Sequence, residues 1–426
     1  MAEFRAEVFQ NEYLADGATD VHGVVSITCS GAGTAGRASG TEAAEIIIVD
    51  TSGSMDMPPA KIAAARRAAK VAIDEIVDGT WFAVMSGHTV AQMVFPPHPG
   101  LAKMTDVTRR EATEAVGRLR SGGATAIGAW ITAATELFNQ APAAQRHAIL
   151  LTDGKIEGEP PGALAIALER AKGKFQCDCR GIGSDWVVDE LRGIATALLG
   201  TVDIVAKPED LEADFEEMMR NAMSRGVADA RLRVWAPQGS EVMFVRQVAP
   251  QVDDLTPRAT RISPLVVEFP TGAWSDESRD YHVAVRVPPA PVGNERLAAR
   301  VELVVNDEVL AKGLVKAIWS VDTNLTTRID PAVAHYTGQA QLADVIQRGL
   351  AAKSSGDDRT ATVLLGQAAK LAHDTGNEQT TRLLAKVVDV VDVEAGTVRL
   401  KQQVAKTDEM ALDTRSTKTT RIRREP

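Results

Sequence analysis

The sequence predicts an α/β protein: a doubly wound, mostly parallel sheet, inserted in or followed by an antiparallel β-sandwich, with a helical segment towards the C-terminus. Three observations carry this expectation. Between residues 43 and 226, short apolar runs alternate with stretches of helical period, the pattern of βα units that build a parallel sheet covered on both faces. Between 229 and 322 the period falls to two, as in antiparallel strands. From 331 to about 392, apolar residues recur at helical spacing.

The elements follow in order. Phe4, Ala6 and Val8 alternate with polar neighbours, and the stretch 21–28 repeats that character. These strands, in a segment 1–42, lack partners of their own. They are expected to complete the sandwich, which makes the α/β domain an insertion. Residues 30–41 form a Gly/Ser/Ala linker. The α/β domain opens with a strand at 45–50. Pro58-Pro59 then starts a helix near Lys61 that places Ile62, Ala65, Ala69 and Ile73 on one face. A strand at 81–86 precedes a short edge strand at 91–95, stopped by Pro96-Pro97. Helices at 106–119 and 127–139 flank Ser121-Gly122-Gly123. Strands at 146–152, 175–182 and 201–205 alternate with helices near 162–173 and 187–197, and a helix at 209–225 closes the domain.

Sandwich strands are expected at 230–235, 241–248, 265–269, 281–287, 297–305 and 314–319, separated by turn signals such as Pro237-Gln238-Gly239 and Asn306-Asp307. The segment 331–406 reads as three short helices, with faces marked by Leu342, Val345 and Ile346, by Leu364, Ala368 and Leu371, and by Leu383, Leu384, Val387 and Val388. The polar, basic tail 407–426 is expected to be disordered.

A length of 426 residues suggests two to three domains. A net charge of −10 argues against a specific nucleic-acid binder, which needs a basic surface. The opening residues alternate charge and hydrophobe, so they read as a strand and not as a secretory leader. No apolar run approaches the ~18 residues of a membrane span. Three cysteines make no disulfide framework. Cys177 and Cys179 share one face of a strand, and no second Cys or His pair accompanies them as a metal site would need. A reduced, cytoplasmic protein is expected.

The functional signal lies in Asp50-Thr51-Ser52-Gly53-Ser54, at the tip of the apolar strand Glu45-Ile46-Ile47-Ile48-Val49. One carboxylate and two hydroxyls on a tight loop suit a hard divalent cation. Alone the string is also ordinary turn chemistry. Thr125 follows Ser121-Gly122-Gly123-Ala124 just before a helical pattern, and Asp153 ends the second apolar strand Ile149-Leu150-Leu151-Thr152. Ligands of such sheets collect outside the carboxyl ends of the strands, where Asp50 and Asp153 both sit.

On Asp50, Ser52, Ser54, Thr125 and Asp153 the chain resembles the von Willebrand factor A domain with its metal-ion-dependent adhesion site, over residues 43 to 226 of a Rossmann-like sheet. The resemblance implies that these five residues hold Mg²⁺, with Mn²⁺ or Ca²⁺ as alternates, directly or through water. One coordination position stays open for an Asp or Glu of a protein partner. Neutral hydroxyls quench less of the ion's charge than carboxylates would, so it stays electrophilic. Movement of the Thr125 loop on ligation would pass to the closing helix. Bacterial proteins similar to this one serve as subunits or adaptors of AAA+ ATPases of chelatase or MoxR type. Others accompany Ser/Thr kinases and forkhead-associated proteins.

A metal-dependent hydrolase is the alternative from another class. His88 and Asp185 lie near strand ends, but solvent-satisfied loop residues fit them better, and Lys155 and Glu157 read as shaping partner choice. No Walker loop, G-x-S-x-G elbow or H-E-x-x-H occurs, so an enzyme is not expected. In the tail, Thr414, Thr417, Thr419 and Thr420 stand among basic residues. They are candidate phosphoacceptors, since an added phosphate would make a docking mark for an Arg-lined reader.

Overall fold

The computed structural model describes residues 2–34 and 42–422. The stretch 35–41 of the expected linker and residues 423–426 of the expected tail lie outside the described residues. The chain divides into two compact units. One comprises Ala32–Ala228 with Gly272–Ser275; the other is assembled from Glu3–Gly31, Asp229–Thr271 and the residues from Asp276 onward.

In the first unit, the strands run in the order Val202–Val205, Gln176–Ile182, Gln145–Thr152, Ala43–Asp50, Trp81–Gly87, Ala91–Phe95, with Ala102–Lys103 also paired to Trp81–Gly87. The first five are parallel, and the last two are antiparallel edge strands. Every residue of Ala43–Asp50 is buried, as a central parallel strand covered on both faces requires. Helices Ala60–Glu75 and Leu211–Met223 share one core with Ile47, Val49, Val84, Ile149 and Leu151. Ala64, Ala65, Ala68, Ala69 and Ala72 form the fully buried stripe of the first helix. Small side chains there let the helix lie close to its neighbours.

The chain leaves Ala43–Asp50 for Trp81–Gly87 on one side and later returns to Gln145–Thr152 on the other. The crevice between the carboxyl ends of Ala43–Asp50 and Gln145–Thr152 is therefore the topological switch point of this sheet.

The second unit holds two larger sheets. In one, Glu3–Gln10 pairs with Asp20–Ser30, which pairs in turn with Ser278–Arg286, Glu241–Ala249 and Asp253–Asp254 following. The other runs Thr260–Ser263, Val266–Trp274, Val227–Trp235, Glu295–Val305, Glu308–Trp319, with Tyr13–Leu14 added in parallel at its edge. The N-terminal strands are thus sandwich strands. The sheets meet closely at Gly313, where a Cβ would lie 2.7 Å from Val8 Cγ2.

The C-terminal region differs from the sequence expectation in two places. Helix Pro331–Ser354 is a single long helix whose start is fixed by Asp330, its carboxylate accepting from the Ala332 and Val333 amides. Asp358–Asp374 and Glu378–Val387 are capped in the same way by Asp357 and Asn377. The segment expected to be helical throughout then ends in a hairpin, Val388–Asp392 with Thr397–Leu400. Its Val-rich first strand carries the β-branched residues that favour extended backbone.

The second correction concerns the tail, which is ordered through residue 422. Lys406–Arg415 is a helix with Leu412 fully buried. Beyond it, the Val252 amide donates to Thr417 O at 2.7 Å and the Thr419 amide to Pro250 O at 3.0 Å. Arg421 reaches Asp280 Oδ1 at 3.1 Å and Ser26 Oγ at 2.8 Å. Ile422 packs on the core of Val24, Val248 and Tyr336. Polar composition suggested disorder, but these polar groups are spent on bonds to distant strands.

Asp280 is fully buried, and its ion partner is Arg421. Among the described residues, Arg421→Ala leaves that carboxylate with only the Tyr336 hydroxyl and is expected to cost about 1–3 kcal/mol. Urea unfolding of the full chain measures this, and an unchanged midpoint would show that the terminal segment adds nothing to stability.

Candidate metal centre

Five side chains from three loops meet at the switch point. Asp50 ends its strand fully buried. Its Oδ1 accepts from the Ser52 amide at 2.6 Å and its Oδ2 from the Thr152 hydroxyl. Burial pushes the Asp50 carboxyl up to about 6, against the pull of hydrogen bonds from Ser52 and Thr152, and the Asp153 charge adds to the rise. A 3₁₀ turn over Gly53–Asp56 folds the chain back at once. It brings the Ser52 and Ser54 hydroxyls within 3.0 Å of each other. The Ser54 hydroxyl donates to Asp153 Oδ1 at 2.7 Å across 99 residues of sequence.

Thr125 is placed by backbone, its carbonyl accepting from the Glu157 and Gly158 amides at 3.1 and 3.0 Å. The first loop is tied in the same manner: Gly53 N–H donates to Gly123 O, Gly122 N–H to Thr51 O, and Thr51 N–H to Gly87 O. A Cβ on Gly154 would lie 3.0 Å from Thr125 Oγ1 and 3.3 Å from Ser54 Oγ. Both hydroxyls therefore crowd one point beside the bare Cα of Gly154, and a side chain at that position would fill the cradle they line.

This donor set fits a small hard cation. Two carboxylates and three hydroxyls offer oxygen alone. The Ser52–Ser54 and Ser54–Asp153 separations of 3.0 and 2.7 Å bring three of these oxygens together. Among the described residues, no group of three or more His, Cys, Asp or Glu side chains is placed to hold a metal. Hydroxyls therefore have to carry much of any coordination here.

Two neighbours escaped the sequence reading. Thr152 caps Asp50. Lys61, identified there only as a helix start, buries its ammonium 2.7 Å from Asp153 Oδ2 and 3.5 Å from Asp185 Oδ2. Asp185 thus approaches the centre through Lys61. The His88 ring lies against Gly123, and its carbonyl accepts from Trp130 Nε1 at 2.6 Å. Lys155 and Glu157 pair with each other at 2.8 Å in solvent. The tail threonines lie in the second unit: Thr414 is buried and bonded to Met410 O, Thr419 donates to Val248 O, and Thr420 accepts from Gln339.

Residues 44–204 match the von Willebrand factor type A domain and residues 370–416 the von Willebrand factor type A C-terminal domain. A von Willebrand factor type A protein of Catenulispora acidiphila is 47% identical, with a TM-score of 0.94 over 99% of this chain and 97% of its own. The chain belongs to the von Willebrand factor type A family. The ArnB paralog VWA2 of Sulfolobus acidocaldarius shares the fold, with a TM-score of 0.59 and 14% identity over 98% of both chains. No curated protein matches.

The same sheet contains a buried ionic chain that the sequence reading also missed. His147 Nδ1 is 2.9 Å from Glu45 Oε1 and its Nε2 is 2.8 Å from Asp178 Oδ2. Arg225 reaches the same Asp178 oxygen at 3.2 Å. Burial alone would lower the imidazole's pKa, but the Glu45 and Asp178 carboxylates outweigh it and raise it to about 9. Both ring nitrogens then donate. Asp178 is held well below the usual carboxylate range: Arg225 and His147 prevail over its burial.

The folded-state value of His147 lies above its ordinary 6.5. The associated stability is complete below pH 6.5 and is lost as pH rises through about 9. His147→Gln is expected to flatten that slope and to cost about 3–5 kcal/mol at neutral pH. Urea unfolding between pH 6 and 10 checks both; a variant that keeps the wild-type slope removes His147 as its origin.

Proposed function

We propose that the chain is a metal-dependent protein-interaction module. In this reading Asp50, Ser52, Ser54, Thr125 and Asp153 hold a divalent cation, Mg²⁺ first and Mn²⁺ or Ca²⁺ as alternates. The bound ion supplies a Lewis-acidic position that an Asp or Glu of a protein partner completes. The chain's own residues do the rest. Asp50 is fixed from both oxygens, Ser54 is aimed by Asp153, and backbone bonds between loops hold Thr125 in place. The observation that carries this reading is the convergence of five oxygen side chains on one crevice.

Capture is favoured over hydrolysis by what adjoins the donors. A hydrolase needs a base to activate water; the ionisable side chain paired with Asp153 here is the cation Lys61. Service as an AAA+ adaptor is a variant of the same capture chemistry and is distinguished by a co-purifying ATPase. No helix among the described residues is long and apolar enough to cross a membrane, and a cytoplasmic setting belongs to this proposal. A Ser/Thr kinase and forkhead-associated setting is a finer variant of this proposal, in which phosphorylation of Thr414, Thr417, Thr419 or Thr420 would require release of the segment that holds them.

Saturating Mg²⁺ is expected to raise the Tm of the full chain, by about 2.7 kcal/mol of stabilisation at a hundredfold excess over Kd. Asp50→Ala and Thr125→Ala should abolish the shift, and Mg²⁺-dependent partner recovery should vanish with chelator. Equal melting of wild type in Mg²⁺ and in EDTA would overturn the proposal.

A further inference from the structure

Lys61 stands where a cation has little reason to be. It is in the first turn of helix Ala60–Glu75, a turn with no acidic residue. That end carries the positive pole of the helix dipole, which disfavours cations. The side chain is only 8% exposed, and burying an ammonium is costly unless it is paired. Helix stability therefore does not account for Lys61, whereas the donor cluster does. Its ammonium lies 2.7 Å from Asp153 Oδ2, on the carboxylate whose other oxygen accepts from Ser54. A second carboxylate, Asp185, waits 3.5 Å away and is 65% exposed.

We infer that Lys61 is a resident counter-ion of the metal centre. It neutralises Asp153 while no divalent ion is bound and shifts its pairing to Asp185 when one binds. The inference rests on the metal-site reading above and adds the regulation of that site. An ammonium on Asp153 and a divalent ion on the same carboxylate repel each other strongly at low effective dielectric. Cation affinity is accordingly held down by Lys61, and occupancy is linked to the 183–185 loop through Asp185.

Mn²⁺ titration of the full chain by calorimetry tests this. Lys61→Met and Lys61→Gln are expected to bind Mn²⁺ at least tenfold more tightly than wild type, while Lys61→Arg, which keeps the charge, stays near wild type. Asp185→Asn removes the alternative partner and should weaken binding severalfold at low salt, since this pair is exposed and screened. Unfolding midpoints in EDTA establish that each variant is folded, and the two neutral variants back each other if one is not. Unchanged or weaker Mn²⁺ binding in the folded neutral variants overturns the counter-ion role and leaves the metal site standing. Wild-type protein that binds no Mn²⁺ removes the site itself.

Discussion

Asp50 and Asp153 are both fully buried, and they terminate strands that are direct neighbours in a parallel sheet. Two like charges withdrawn from water this close together are unfavourable unless each is answered locally. The fold answers them differently. Asp50 takes hydrogen bonds from an amide and a hydroxyl, which do not wholly offset burial, so its carboxyl stays raised to about 6. Asp153 takes a hydroxyl and a full positive charge. The loops that follow both strands, and the helix that carries Lys61, are arranged around this compensation.

The α/β unit interrupts the sandwich unit in sequence, an arrangement tolerated when the ends of the inserted piece lie together. They do. A Cβ on Gly226 would lie 1.9 Å from Ala32 O, so the entry and exit of the first unit touch and only glycine fits the junction. The second unit can then close its own sheet, with Asp20–Ser30 flanked by Glu3–Gln10 and Ser278–Arg286.

The βα alternation and the D-x-S-x-S string were legible because they are local. Period, turn residues and strand ends place Asp50, Ser52, Ser54 and Asp153 at one sheet edge before any contact is known. Lys61 was not legible, since its partner is 92 residues away and a lysine at a helix start otherwise reads as solvated. Glu45, His147 and Asp178 were hidden for the same reason: each lies in a different strand, and their meaning appears only when neighbouring strands align them. The tail misled by composition. Arg421 and Ser26 are 395 residues apart in sequence, and no local pattern announces such a bond.

Charge counting links the site's architecture to the proposed capture. Among the buried groups, Asp50 and Asp153 contribute two negative charges and Lys61 one positive, leaving a single negative charge when the hydroxyls are counted as neutral; Asp185 is 65% exposed, and solvent screens its charge. A divalent ion reverses the sign to one positive charge. In a buried crevice that charge is unfavourable until an anion arrives. A partner carboxylate brings the cluster to neutrality, whereas a third protein carboxylate in place of Ser52, Ser54 or Thr125 would have done so from within. Hydroxyls at those three positions therefore leave the last negative charge to be supplied from outside, and on this reading that is why a partner binds.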